Sequence, residues 1–272
     1  MKLKKYEFGE FEIIDAHSHI YPEKIAQKAT DAVSDFYDIP MYSTGSSQKL
    51  IESGSRINVK KYLVCSAATS ANQVVGINNF IKSQCDEHSE FFGFGTLHPD
   101  FEDVQSEIDR MIEMGLCGIK LHPDFQKFDI DSKDAYGIYE AAQGRLPILF
   151  HTGDIRYDYS LPSKLSRVSK DFPQLQSIAA HLGGYQRWEE ALETLSGLSN
   201  VMYDCSSSMS MLDPCYAVSV MRRLGIDRIM FGTDFPMWNH KSEAEFLLSL
   251  GFERAELEMI FAGNFKRFFG VA

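Results

Sequence analysis

The sequence "EIIDAHSHI" (residues 12–20) is a short apolar run that ends in two histidines separated by one serine. Side chains of a β-strand alternate between its two faces, so a strand here would direct His17 and His19 to one side and Ser18 to the other. Two imidazoles on one face at a strand end could share a metal ion. A backbone carbonyl could equally satisfy each ring, so the rest of the chain must decide between these interpretations.

Seven further runs resemble the first in length and in their content of β-branched and aromatic residues, and segments with helical spacing separate them. The predicted strands cover residues 11–18, 61–67, 91–97, 117–122, 147–152, 176–182, 201–206 and 229–234. Strands that alternate with helices predict a parallel sheet. Eight such units predict an α/β fold of the (β/α)8 (TIM) barrel class, as a single domain over residues 1–272, with an open doubly wound sheet as the second choice.

The connections between the runs support this alternation. In "FEDVQSEIDRMIEMG" (residues 101–115), Ile108, Met111 and Ile112 belong to one apolar stripe at helical spacing, and the final glycine provides a stop signal. Residues 20–60 form the longest connection and are predicted to contain two short helices around the sequence "STGSS". This segment is long enough to cover the mouth of a barrel.

Composition limits the partners of the protein. The 272 residues carry a net charge of −11, which disfavours binding to nucleic acid or to an anionic membrane surface. A small-molecule substrate, including an anionic one, remains compatible because a cleft can be locally basic. A homodimer is the expectation for a barrel of this class, although no interface is evident in the sequence.

The termini and the cysteines indicate a cytoplasmic protein. The opening "MKLKKYEFGEFEII" starts with lysines, but acidic and aromatic residues follow where a signal peptide has its apolar core. No run approaches the roughly 18 apolar residues of a membrane span. The five cysteines are odd in number and form no C-x-x-C pair, which favours reduced thiols over a disulfide framework or a structural zinc site.

Ionisable residues end several of the other predicted strands. "LFHTGD" places His151 at the end of the fifth strand, "AAHLGG" places His181 at the end of the sixth, and "FGTDFP" places Asp234 at the end of the eighth. The carboxyl ends of barrel strands meet at one face, where active sites of this architecture lie. His17, His19, His151 and Asp234 therefore form a donor set that suits one divalent metal ion, most simply zinc.

These motifs resemble the amidohydrolase superfamily. "DAHSH", "HTG", "AHLGG" and "FGTDFP", with the terminal "AGNFKRFFG", are similar to its amidohydrolase-2 branch, which includes aminocarboxymuconate semialdehyde decarboxylase and related metal-dependent hydrolases. The resemblance implies a barrel in which His17, His19, His151 and Asp234 bind the metal and His181 assists proton transfer. A histidine beside a metal suits that task, and Asp234 can both ligate and accept a proton.

Two residues of the fourth predicted strand are candidates for binding substrate. In "GIKLHP", Lys120 and His122 share one face of the strand. In some amidohydrolases a lysine at this position is carbamylated and bridges two metals, whereas in the decarboxylase-like branch one metal suffices. We favour a single metal and a Lys120 ammonium that pairs with a substrate carboxylate.

Other residues are open to simpler interpretations. Arg156 and Arg187 follow the fifth and sixth strands, where either could bind a substrate anion or form a surface ion pair. The sequence "LHPDF" occurs at 97–101 and again at 121–125, which is typical of shared turn chemistry with an aspartate that can cap a helix. Among the remaining residues, His240 is interpreted as solvated surface, and the serines at 206–208 as loop packing.

Together these features predict a metal-dependent hydrolase in which metal-activated water attacks a small amide, ester or lactone of a carboxylate-bearing substrate. The alternative on the same ligands is a non-oxidative decarboxylase, a carboxy-lyase, of an unsaturated or aromatic acid. A Schiff-base aldolase that uses Lys120, and an inactive binding barrel, are weaker alternatives because the first leaves the four ligands unexplained and the second leaves the site without a role.

Overall fold

The structure, a computed structural model, describes residues 6–271. The lysine-rich start of the chain, on which the signal-peptide prediction partly rests, lies outside the described residues. Two compact units are distinguished within the chain. The first combines residues up to Val64 with those from Cys205 onward, and the second comprises Cys65–Asp204.

The strands alternate with helices along the whole described chain, and their order within the sheet follows their order in the sequence. The strands are β1 Ile13–His19, β2 Val59–Cys65, β3 Phe91–Thr96, β4 Gly118–Leu121, β5 Ile148–Phe150, β6 Ser177–Ala179, β7 Val201–Asp204 and β8 Ile229–Met230. The predicted (β/α)8 barrel class is therefore confirmed, with each strand lying where the sequence places it. Several observed strands are shorter than predicted because the residues that follow them turn away to form loops.

The helices fill the predicted connections and add short segments near the chain end. They are α1 Glu23–Tyr37, α2 Ser47–Ser55, α3 Val74–Glu87, α4 Val104–Glu113, α5 Pro123–Gln126, α6 Lys133–Ala142, α7 Pro162–Asp171, α8 Trp188–Thr194, α9 Pro214–Leu224, α10 His240–Ser249, α11 Arg254–Glu258 and α12 Asn264–Phe269. Of the described helices, none is long and apolar enough to cross a membrane.

Local chemistry accounts for the helix boundaries. The Asp103 side chain caps α4 by accepting a hydrogen bond from the N–H of Ser106, and Gly115 ends the following turn with a φ of 77°. Ile108 and Met111 of α4 are buried, but Ile112 is 39% exposed, so the apolar stripe is narrower than predicted. In the connection after β1, Ser46 of "STGSS" caps α2, while α1 is longer than the short helix expected there.

In the second unit, strands β3 to β7 pair in parallel, each with the next. Thr96 pairs with Lys120, Leu121 with Phe150, and Phe150 with Ala179. Large side chains on these strands are fully buried, which fixes the register because a shift of one residue would exchange the two faces. The residues that follow β4, β5 and β6 therefore lie along one edge of the sheet.

In the first unit, the end of β1 pairs with the segment that follows β8. The N–H of Ala16 donates to the carbonyl of Phe231 at 2.8 Å, and the N–H of Asp234 donates to the carbonyl of His17 at 2.8 Å. Ser18 and Phe235 form a parallel bridge. This pairing brings the two histidines of β1 and Asp234 to the same edge.

Candidate metal centre

Three donor atoms converge where β1 and the segment after β8 meet. The Nε2 atoms of His17 and His19 are 3.2 Å apart, and Asp234 Oδ1 lies 3.1 Å from His19 Nε2 and 3.6 Å from His17 Nε2. Ligand atoms bound at about 2.1 Å to a tetrahedral ion are roughly 3.4 Å apart. These residues, the first donor group, thus have the spacing of ligands to one cation.

Hydroxyl groups orient two members of the first donor group. Ser206 Oγ lies 3.0 Å from Nδ1 of His17, and a proton on Nδ1 that is bonded to this hydroxyl makes Nε2 of that ring an electron-pair donor. The Ser207 hydroxyl donates to Asp234 Oδ2 at 2.6 Å and itself accepts from Trp238 Nε1 at 2.9 Å. Sequence analysis interpreted these serines as loop packing, whereas the structure places two of them against candidate ligands.

A buried carboxylate joins the two segments that carry the first donor group. Asp15 accepts hydrogen bonds from the N–H groups of His17 and Thr233, at 3.1 and 3.0 Å. It also accepts from the hydroxyls of Ser18 and Thr233, at 2.6 and 2.7 Å. Because its partners lie on β1 and after β8, Asp15 fixes the spacing between the histidine pair and Asp234.

The interpretation of His240 as solvated surface is wrong. Its side chain is fully buried, with Nε2 2.9 Å from Asp15 Oδ2 and Nδ1 2.8 Å from Ser53 Oγ. One turn further along α10, burial raises the pKa of Glu243 to about 8, with the negative charges of Asp234 and Asp15 as smaller contributions to that rise. No local pattern predicts this burial, because α10 begins with polar residues typical of an exposed helix.

The second donor group consists of His122, Asp124, His151 and His181. His151 Nδ1 lies 3.0 Å from His181 Nε2, and His151 Nε2 lies 2.9 Å from the carbonyl oxygen of Gly153. All four members are buried. Ligand atoms of His122, Asp124 and His151 lie within 4.8 Å of one another.

Asp124 is a member that sequence analysis missed, because its motif occurs twice and predicts only a turn. Its Oδ2 lies 3.5 Å from His151 Nε2 and accepts a hydrogen bond from the Ser160 hydroxyl at 2.5 Å. Burial raises its pKa to about 6, against the opposing effect of the Ser160 hydrogen bond.

Two members of the donor groups, and one serine that hydrogen-bonds to a member, adopt a left-handed backbone conformation. The φ angles are 60° for His181, 50° for Ser207 and 57° for Asp234. Such conformations cost non-glycine residues about 1–3 kcal/mol and cluster at functional sites. For His181, the N–H donates to Asp204 Oδ1 at 3.2 Å and the carbonyl accepts from Trp188 Nε1 at 3.1 Å, which holds the strained turn.

The remaining candidates occupy different surroundings. Lys120 is fully buried on β4, and its carbonyl accepts from the Thr96 hydroxyl. Arg156 binds both carboxylate oxygens of Asp154, at 3.0 and 2.7 Å. Arg187 donates to the Asp154 carbonyl at 2.9 Å and pairs with an exposed aspartate of the same loop. Arg187 thus forms a surface ion pair, whereas the carboxylate that Arg156 binds is fully buried.

A (β/α)8 fold with imidazole and carboxylate donors at its strand ends defines the class of metal-dependent barrel enzymes. The comparison with family models is specific: the model of the amidohydrolase family, Amidohydro_2, matches residues 14–271. The chain belongs to this amidohydrolase family. The resemblance inferred from its motifs is confirmed, and the protein is an enzyme of this family. Membership of the family also supports a divalent metal cofactor.

Solved structures with the same fold include decarboxylases and a hydrolase. The 5-carboxyvanillate decarboxylase from Sphingomonas paucimobilis is 15% identical with a TM-score of 0.71, over 96% of this chain and 100% of that one. The dihydroxybenzoic acid decarboxylase from Polaromonas sp. JS666, with bound manganese and 2-nitroresorcinol, is 14% identical with a TM-score of 0.73, over 96% and 97%.

A third similar structure is the putative 2-pyrone-4,6-dicarboxylic acid hydrolase from Pseudomonas putida. It is 16% identical with a TM-score of 0.68, over 96% of this chain and 98% of that one. The search of curated proteins found no match. At these identities the structural likeness concerns the fold, and the reaction has to be argued from the site itself.

Proposed function

We propose that this protein is a metal-dependent hydrolase of a small amide, ester or lactone. The observation that carries the proposal is the convergence of His17 Nε2, His19 Nε2 and Asp234 Oδ1 within 3.6 Å of one another. Three electron-pair donors at such distances repel one another unless a proton or a cation lies among them. Buried histidine and carboxylate donors suit a divalent ion, and this set fits one well.

His17, His19, His151 and Asp234 are the proposed ligands of a single ion, with zinc as the first choice and manganese as the second. When bound, a divalent ion lowers the pKa of a coordinated water toward about 7 and polarises a carbonyl oxygen. The donor chemistry does not separate the two metals, because imidazole suits zinc and carboxylate oxygens suit manganese.

The protein groups then move the protons. Asp234 Oδ1 accepts a proton from the water that attacks the substrate carbonyl, while Oδ2 stays fixed by the Ser207 hydroxyl. His181 delivers a proton from Nε2 to the leaving group as the tetrahedral carbon collapses. Its orientation for this task is supported by the strained turn and by the Asp204 and Trp188 hydrogen bonds.

The second candidate is non-oxidative decarboxylation of an unsaturated or aromatic acid. It is favoured by the similar solved structures of 5-carboxyvanillate and dihydroxybenzoic acid decarboxylases. In this reaction an acidic group of the site protonates the substrate carbon that bears the carboxylate, and the carbon–carbon bond breaks to release carbon dioxide. The same four ligands serve both reactions.

Substrate contacts are proposed for Lys120, His122, Arg156 and Arg187. A substrate carboxylate would pair with the Lys120 ammonium, which is fully buried on β4. The two arginines would have to exchange their present aspartate partners for a substrate anion, which makes them the weaker candidates. We also propose a cytoplasmic enzyme with a small-molecule substrate and a homodimeric state, as composition and fold class predict.

An assay of the purified enzyme with added zinc or manganese tests the proposal. The panel should contain lactones, esters and amides, with unsaturated and hydroxylated aromatic acids beside them. Metal-dependent release of acid from a lactone, ester or amide supports the hydrolase. Metal-dependent release of carbon dioxide instead supports the second candidate, and turnover that chelators leave unchanged would contradict both.

A further inference from the structure

The two copies of "LHPDF" have different surroundings although their sequences are identical. In the first copy, His98 Nδ1 accepts from the N–H of Asp100 at 3.2 Å, and the Asp100 side chain is 83% exposed. In the second copy, His122 Nδ1 accepts from the N–H of Phe125 at 3.3 Å, and the Asp124 side chain is fully buried. Turn formation explains the first copy but leaves the burial of a carboxylate in the second unexplained.

The second copy packs against His151. The His122 ring stacks on the His151 ring with centroids 3.9 Å apart and planes within 10°, and Phe125 stacks on the opposite face of His122 at 3.7 Å. A ring nitrogen donates its electron pair in the plane of the ring. Because stacked rings hold these pairs in separate, nearly parallel planes, an ion between them would lie out of the plane of each ring, and the cluster of His122 and His151 with Asp124 is a poor second metal site.

The contacts of His151 determine which of its nitrogens carries the proton. Nε2 faces two acceptors, the Gly153 carbonyl oxygen at 2.9 Å and Asp124 Oδ2 at 3.5 Å. A proton on Nε2 hydrogen-bonds to the Gly153 carbonyl and is attracted by the Asp124 carboxylate, and Nδ1 then presents its electron pair. Nδ1 is the nitrogen that lies 3.0 Å from His181 Nε2, on the side away from Asp124.

Hydrogen bonds hold Asp124 in this position. The Ser160 hydroxyl donates to its Oδ2 at 2.5 Å, and the Ser160 carbonyl accepts from the N–H of Gly153 at 2.7 Å. Gln126 anchors the turn, because its Nε2 donates to the carbonyls of Ala68 and Leu97 at 2.8 and 2.7 Å. Asp124 Oδ1 has no hydrogen-bond partner among the described residues, so the aspartate is buried at a cost that its contact with His151 offsets.

We propose that Asp124 is a positioning residue for His151. Its carboxylate, together with the Gly153 carbonyl, keeps the proton of His151 on Nε2 and leaves Nδ1 as the metal-binding atom. The inference rests on the proposed function through the role of His151 as a ligand. Carboxylates that orient metal-binding histidines in this way typically change metal affinity about 10–100-fold when they are removed.

The first test compares Asp124→Asn with Asp100→Asn, the same substitution in the exposed copy of the motif. Zinc affinity is measured by competition with a chromophoric chelator. We expect Asp124→Asn to weaken zinc binding by about 10–100-fold and Asp100→Asn to leave it within about twofold of the parent. Equal zinc affinity in the two variants would overturn the proposal.

The second test determines the tautomer of His151 from long-range ¹H–¹⁵N correlation spectra of the metal-free protein. The His151→Gln variant assigns the signals of this ring. We expect the Nε2–H form in the parent and a mixture of tautomers in Asp124→Asn. If Asp124→Asn does not fold, Ser160→Ala, which removes only the hydroxyl that holds the carboxylate, should show the same mixture. An unchanged tautomer in the folded variant would overturn the proposal.

The two tests also separate this inference from the proposed function. A parent protein that binds neither zinc nor manganese contradicts the metal-dependent hydrolase, whereas the tautomer of His151 still depends on Asp124. If the parent binds zinc, but Asp124→Asn changes neither the zinc affinity nor the tautomer of His151, only the positioning role is contradicted.

Discussion

The two donor groups are built differently. In the first, two ring nitrogens and one carboxylate oxygen point at one another across 3.1–3.6 Å, and the side chains of His19 and Asp234 remain 15% and 12% exposed. In the second, the side chains of His151 and Asp124 are 2% and 0% exposed, and rings stack on one another instead of converging.

The comparison indicates that histidines at strand ends serve two purposes in this fold, binding a cation and orienting a neighbouring ring. The first donor group is arranged to bind a cation and remains accessible to it. In the second donor group, we propose that His151 presents only Nδ1 to the metal and that the residues around it orient its ring. The predictions below test that division of roles.

The largest difference is expected between a ligand and the proton-transfer histidine. Asp234→Asn should abolish both zinc binding and turnover, because the variant removes the charged member of the first donor group. His181→Asn should retain zinc and lose turnover by roughly 10²–10⁴-fold. Elemental analysis measures the metal content, and steady-state kinetics on the same preparations measure turnover. Loss of zinc in His181→Asn would contradict the separate roles of ligand and proton-transfer residue.

A second prediction concerns the pH dependence of stability beside the first donor group. The pKa of Glu243 is raised from its ordinary value of 4.5 to about 8. Between these values the unfolded chain releases a proton that the folded metal-free protein keeps, so stability falls as pH rises, by about 1.4 kcal/mol per pH unit. Below pH 4.5 both states hold the proton and this contribution is absent.

Glu243→Gln should remove that slope and make the metal-free protein more stable than its parent at pH 8, but not at pH 4. Urea unfolding at several pH values measures it. Glu245→Gln is the matched control, because Glu245 lies on the same helix and is exposed. Parallel stability curves for the parent and Glu243→Gln would contradict the prediction.

A smaller effect is expected from the hydroxyl that holds Asp234. Ser207→Ala removes the 2.6 Å hydrogen bond to Oδ2 and should weaken zinc binding by about 10-fold, since the carboxylate becomes free to rotate. Ser208→Ala is the control, because its hydroxyl donates to the carbonyl of Ser206 and not to a ligand. Chelator competition compares the two, and equal affinities would show that the hydroxyl does not orient Asp234.

The smallest effect is expected at Arg156, away from the donor atoms. Arg156→Met leaves the buried Asp154 carboxylate without its bidentate partner and should lower the free energy of unfolding by about 1–2 kcal/mol. Zinc content should not change. Urea unfolding and elemental analysis check both statements, and loss of zinc would mean that this ion pair supports the second donor group.

Much of the fold was predictable because strands buried on both faces read as short apolar runs, and turn residues separate them. The runs at 11–18, 117–122 and 201–206 correspond to β1, β4 and β7. The predicted strand ends were less accurate. β6 ends at Ala179, before the left-handed turn at His181. Strand pairing competes there with loop hydrogen bonds that the local sequence does not encode.

The candidate ligands were predictable from their positions after strands, but their supports were not. Asp124 and Asp100 lie in identical pentapeptides, and only tertiary packing buries one and exposes the other. His240 follows a loop and begins a polar helix, yet it is fully buried, with Asp15 Oδ2 2.9 Å from Nε2 and Ser53 Oγ 2.8 Å from Nδ1. Residues that act through long-range contacts leave no pattern in their own neighbourhood.

Metal stoichiometry decides whether one divalent ion is bound by His17, His19, His151 and Asp234. Elemental analysis after equilibration with zinc and gel filtration should find one ion per chain in the parent protein and a large loss in both His17→Ala and His151→Ala. A parent without bound metal, or a folded variant of either histidine that keeps the full ion, would contradict the claim.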